Sequence, residues 1–166
     1  MSLSPFSEQE LEQIAKKRED NNRLEEFLSN KRDEWIKNIK PIYDELIPNF
    51  NRTNAGKIIE IQSLALSYRQ MINEQIAFFL NKRSRQEVVL KELKNQKFIF
   101  YAIGFSVKTN SQEKVQLVEA HLAEYERNIQ LLETHVDFLR ATGKNLESVG
   151  FTVKNVNDLM SYLQGT

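Results

Sequence analysis

Cysteine is absent from the 166 residues, which excludes disulfides, thiolate zinc sites and cysteine nucleophiles and is compatible with a reducing cytosol. Glycine (5) and proline (3) are scarce, leaving little material for the turns of an all-β fold. No run reaches the ~18 apolar residues of a membrane span. The opening MSLSPFSEQE is acidic and lacks the apolar centre of a secretion signal. Histidine is rare: His121 and His135 stand 14 residues apart. That is about 21 Å along a helix, too far to share a metal within one chain. There is no phosphate loop, no nucleotide-binding glycine run, no HExxH, no nucleophile elbow and no paired acid–base site. The expectation is a protein that is not an enzyme and needs no cofactor or metal.

What is present favours helix. Glutamate, lysine, leucine, isoleucine and glutamine are abundant, with 40% apolar and 28% charged residues. The strongest pattern runs from Glu113 to Val149. Val115, Val118, Leu122, Tyr125, Ile129, Leu132, Val136 and Leu139 alternate steps of three and four, and Leu146 and Val149 resume the spacing beyond Gly143. This is a heptad seam. Its flanks are polar, including His121, Asn128 and His135. Heptad spacing does not decide whether such a seam closes within a chain or between chains.

Upstream, Ser7 and Glu10 form a capping box that starts a helix. The stretch Lys16 to Asn22 has no apolar residue and reads as a solvated helix or a frayed extension. Leu24, Leu28, Trp35, Ile39, Ile42 and Leu46 then form a stripe, with Pro41 as a kink position and Pro48 as its end. After a loop over Asn49–Gly56, Ile58, Ile61, Ala65, Tyr68, Ile72, Ile76 and Phe79 mark a second buried face. A turn at Asn81–Arg85 gives a helical hairpin; an uninterrupted helix is the alternative. Val89, Leu93, Phe100 and Ile103 make a further seam, with Gly104 as its C-cap. Asn110 or Ser111 caps the heptad helix. Gly150 ends or bends it, and Asn155 opens a short last helix docked by Leu159, Tyr162 and Leu163. The expected fold is all-α: long helices in a hairpin or bundle with coiled-coil-like packing. Its expected parts are an acidic helical extension (1–34), a helical hairpin with a basic segment (35–110), and the heptad helix with a short C-terminal helix (111–166).

The net charge of zero hides a segregation. Residues 1–50 carry 8 basic and 11 acidic side chains, 51–110 carry 10 and 4, and 111–166 carry 5 and 8. The cations concentrate in Lys82, Arg83, Arg85, Lys91, Lys94, Lys97 and Lys108, with Phe98, Phe100, Tyr101 and Phe105 among them. Cations that follow a phosphate backbone and rings that stack on bases are what sequence-tolerant single-strand binding requires. The same residues also serve a helix that packs Phe100 and solvates its lysines.

The C-terminal third, FLRATGKNLESVGFTVKNVNDLMSYLQG, carries Leu139, Gly143, Leu146, Val149, Gly150-Phe151, Val153-Lys154-Asn155-Val156 and Asp158. It resembles the tail of the UvsY family of phage recombination mediators: a long helix, a Gly-Phe-x-(Ile/Val)-Lys turn and a short last helix. Tyr68 to Gly104 is similar to that family's basic helical segment, and Thr53 to Leu66 to the start of the helix before it. The likeness covers roughly residues 35–166. It implies a non-enzymatic, ring-forming homo-oligomer in the cytoplasm of the host cell. Such a protein binds single-stranded DNA and loads a RecA-type recombinase against the phage single-stranded-DNA-binding protein. It implies DNA contacts at Lys94, Lys97 and Tyr101, although the family's Lys-x-Arg is replaced by Asn95-Gln96-Lys97-Phe98. The wider basic set (Lys82, Arg83, Arg85, Lys91, Lys108) extends the expected DNA surface. Oligomer contacts are expected at Leu122, Tyr125, Ile129, Leu132, Val136, Leu139, Leu146 and Phe151. The rival expectation is a structural or scaffolding helical bundle whose basic segment docks on an acidic protein partner.

Overall fold

The computed structural model describes residues 6–50, 54–104 and 110–164, without the side chains of 163 and 164. Three long helices account for nearly all of it: α1 (Glu8–Leu46), α2 (Ala55–Ile99) and α3 (Ser111–Gln164). Phe100–Gly104 prolongs α2 as one π-helical turn. Among the described residues there is no strand, so the protein is all-α.

The caps follow the sequence. At the start of α1, the backbone N–H of Ser7 donates to Glu10 Oε2 at 2.8 Å and that of Glu10 to Ser7 Oγ at 3.3 Å. At the start of α3, Asn110 and Glu113 exchange the same pair of bonds at 2.9 and 2.8 Å. Helix α1 passes through Pro41 and stops two residues before Pro48. Beyond it, Asn49 Nδ2 closes on the Glu45 carbonyl at 2.7 Å.

Three expected interruptions are not made. At Asn81–Arg85 the chain takes the alternative of an uninterrupted helix, inside α2. Gly150 and Asn155 lie inside α3, so the C-terminal segment is helical as the last turns of α3 rather than a separate helix. Leu159 and Tyr162 are exposed there instead of docked. Gly104 does not adopt the left-handed cap conformation, because no described residue has a positive φ. A lone glycine or a lapse in hydrophobicity costs an interior helical position about 1 kcal/mol or less. Packing on neighbouring helices outweighs that.

The chain forms two compact units. The first joins residues up to Leu28 with Leu80–Thr134. Its core holds Leu28, Tyr101, Val118, Leu122 and Leu132, with Leu90, Leu93, Leu117 and Tyr125 partly buried. The second joins Ser29–Phe79 with residues from His135 onward. Trp35, Ile42 and Leu46 of α1 contribute to its core. So do Ile58, Ile61, Ala65, Ile72 and Phe79 of α2, and Val136, Leu139, Leu146, Val149 and Val153 of α3. Trp35 donates its indole N–H to Gln75 Oε1 at 3.0 Å and sets its ring edge-on to Tyr68. Both units draw on all three helices, so neither coincides with the expected parts 1–34, 35–110 and 111–166.

Helix α3 buries more than a narrow seam. His121, Asn128, His135 and Thr142, at seven-residue intervals, are buried although polar. A helix that faces two others needs a stripe about 100° wide or more, broader than a two-stranded seam. These four residues fill the added row. Gly143 lies at the edge of that stripe, where a Cβ would stand 3.4 Å from Ile72 Cγ2. The gap in the heptad pattern is therefore a close approach of α3 to α2.

Candidate nucleic-acid interface

The basic segment lies on the second half of α2, in the first unit. Leu90, Leu93, Lys97 and Tyr101 follow one another at steps of three and four, and all four are buried or half-buried. This inward row replaces the expected one, from which Val89, Phe100 and Ile103 are exposed. Lys97 conceals the row in the sequence, because a lysine at a core-facing spacing reads as polar. Its aliphatic stem packs inward and its ammonium meets a carboxylate, as long cationic side chains do at the edge of a core.

That carboxylate belongs to Glu10 of α1, which forms an ion pair and hydrogen bond with Lys97. Burial pushes the Glu10 carboxyl up, but the bonds from Lys97 and Ser7 outweigh it and hold its pKa at about 2. The Lys97 ammonium also stands 5.6 Å from the centroid of the Phe100 ring. Tyr101 is 1% exposed. Two of the three DNA contacts implied by the family resemblance are thus turned inward, Lys97 neutralised and Tyr101 in the core. Arg83 is half-buried between Glu87 (2.9 Å) and Glu133 (3.3 Å). Lys108 lies outside the described residues.

The remaining cations, Lys82, Arg85, Lys91 and Lys94, are exposed and make no ion pair among the described residues. At about 100° per residue, Lys82 and Arg85 fall on one side of α2, while Lys91 and Lys94 fall nearly opposite. Phe98, four residues beyond Lys94, lies on the side of Lys91 and Lys94 and is 38% exposed. Lys91, Lys94 and Phe98 therefore form a short track, two cations followed by an open aromatic face. Sequence reasoning noticed Phe98 but favoured Tyr101, since the helical period alone does not say which side is inward.

The expected oligomer contacts are mostly consumed within the chain. Leu122, Leu132, Val136, Leu139 and Leu146 are buried, and Tyr125 and Ile129 are half-buried. Phe151 is 63% exposed. It borders a groove of about 490 Å³ in the second unit, together with Ile59, Leu66 and Val149, and Arg69 and Glu147 pair at 3.1 Å on its wall. No group of three or more His, Asp or Glu among the described residues is placed to hold a metal ion. No helix among them is long and apolar enough to cross a membrane. The chain matches no family model, no curated protein and no solved structure.

Proposed function

We propose that this protein binds single-stranded DNA as a non-enzymatic recombination mediator. In this reading it is a homo-oligomer that holds the strand and passes it to a RecA-type recombinase in competition with a phage single-stranded-DNA-binding protein. The observation that carries the DNA reading is the track Lys91–Lys94–Phe98. Exposed cations without carboxylate partners are free to replace the counterions of a phosphate backbone, and an exposed ring beside them can stack on a base. The mediator role and its setting in phage recombination rest on the resemblance of the C-terminal third to the UvsY family. A weak site per subunit suits such a role, because several copies on one assembly raise the effective concentration of the next contact.

The test is titration of a fluorescently labelled oligonucleotide, single-stranded and duplex, at two salt concentrations. Preference for the single strand, weakening as salt rises, is expected. Absence of binding at low salt overturns the proposal. The second reading, a scaffolding bundle that docks on a protein partner, is favoured by Val88 and Ile99 of α2 and Ile103 of the π-helical turn that prolongs it, all exposed. A scaffold shifts neither form of DNA.

A further inference from the structure

One face of α2 in the first unit is spaced symmetrically about its centre and carries opposite charges at mirrored positions. Asn81, Arg85, Val88, Val89, Glu92 and Gln96 follow one another at steps of four, three, one, three and four. All six are exposed, Val88 by 56% and Val89 by 40%. At about 100° per residue they fall within an arc of about 100°. No ion pair among the described residues engages Arg85 or Glu92.

We infer that this face pairs with the same face of a second copy, the two α2 helices running antiparallel about a two-fold axis beside Val88 and Val89. An axis between residues 88 and 89 places position i of one helix level with position 177 − i of the other. Arg85 then meets Glu92 of the second copy, and the reciprocal pair forms on the other side of the axis. Val88 of each copy meets Val89 of the other at the centre, and Asn81 stands opposite Gln96, amide against amide. An isologous contact demands this self-complementarity: each charge finds its opposite twice, around an apolar centre. A parallel pairing in register sets Arg85 against Arg85 and Glu92 against Glu92, which is repulsive.

The assignment withdraws Arg85 from the DNA surface and leaves Lys91 and Lys94 beside the contact, outside the six-residue face. It deepens the homo-oligomeric part of the reading above and is independent of DNA binding. Its test is therefore made without DNA.

Sedimentation velocity over a concentration series is run on the unaltered chain, on Arg85→Glu, on Glu92→Arg, and on the two combined. Each single reversal places two like-charged pairs in one contact and is expected to weaken self-association about tenfold or more. The combined reversal restores both ion pairs and is expected to return association to the original strength. Because the chain has no cysteine, Val88→Cys can form a disulfide only between chains, and oxidation is expected to yield a covalent dimer. Mixed Arg85→Cys and Glu92→Cys chains should cross-link to each other, and neither to itself. Self-association unaffected by the reversals, or Arg85→Cys cross-linking to itself, overturns the antiparallel contact and leaves oligomerisation to another surface. A chain monomeric throughout overturns both.

Discussion

Asn128 donates its side-chain amide to Oδ1 of Asn21 at 2.8 Å, and Asn21 in turn donates to the backbone carbonyl and the carboxylate of Glu124 at 2.6 and 3.0 Å. Both asparagines are buried. A buried amide stripped of its partner costs about 1–3 kcal/mol, whereas replacing both partners by apolar groups of similar size can be nearly neutral. Asn21→Leu is therefore expected to lower stability by that amount. Adding Asn128→Leu should recover part of the loss. Chemical denaturation of the two single variants and the double variant, read as a double-mutant cycle, checks the coupling.

The same pair shows how much of the fold was legible. Leu28, Trp35 and Ile42 stand at seven-residue intervals and are buried, so spacing alone reveals the stripe on α1. Asn21 continues that interval one heptad earlier, within a stretch that has no apolar residue and reads as solvated. Its burial depends on Glu124 and Asn128, more than a hundred residues away in the chain. Local pattern cannot supply such a partner. The inward placement of Lys97 and Tyr101 is hidden for a related reason, since Glu10 supplies the charge that lets a lysine occupy the inward row. Ser7, Glu10, Asn110 and the second buried face were legible because caps and periodicity are local.

Gly143 separates two sizes of substitution. An alanine methyl group would sit 3.4 Å from Ile72 Cγ2, in ordinary contact. Gly143→Ala is therefore expected to be tolerated, and the gain in helix propensity, up to about 1 kcal/mol, should raise the melting temperature. Gly143→Leu drives a branched chain against Ile72 and is expected to cost about 1–3 kcal/mol. Thermal melts followed by circular dichroism distinguish them. Equal melting temperatures for the two variants would refute the close approach.

His135 is fully buried, edge-on to Phe79 with ring centroids 4.6 Å apart, and neither ring nitrogen has a hydrogen-bond partner among the described residues. Burial, assisted by Arg32, lowers its pKa to about 4 from the ordinary 6.5. Below pH 6.5 the unfolded chain takes up a proton that the folded chain refuses. Stability therefore falls as pH drops from about 6.5 to about 4, by an amount on the order of 3 kcal/mol. His135→Leu is expected to flatten the profile in that window. Glu10 acts in a lower window: its contribution is complete above the ordinary carboxylate pKa of 4.5 and fades as pH falls toward about 2. Glu10→Gln should alter only that second slope. Denaturation midpoints measured from pH 3 to pH 8 check both signs.

Two lysines three residues apart on α2 are expected to behave differently toward DNA. Lys94 is exposed and unpaired among the described residues, whereas Lys97 is held by Glu10 with its side chain 17% exposed. Each phosphate contact on a single strand adds roughly 0.7 to the slope of log affinity against log salt. Lys94→Ala should reduce that slope by about this amount, and Lys91→Ala likewise. Lys97→Ala should leave the slope unchanged while lowering stability, because it strands the Glu10 carboxylate without its partner. Phe98→Ala should weaken binding with no change in slope, by about 1–3 kcal/mol if its ring stacks on a base. Affinities at four or more salt concentrations, together with melting curves of the same variants, separate these outcomes. A slope that drops for Lys97→Ala and not for Lys94→Ala would place the DNA on the inward side of α2 and require α1 to move away from it.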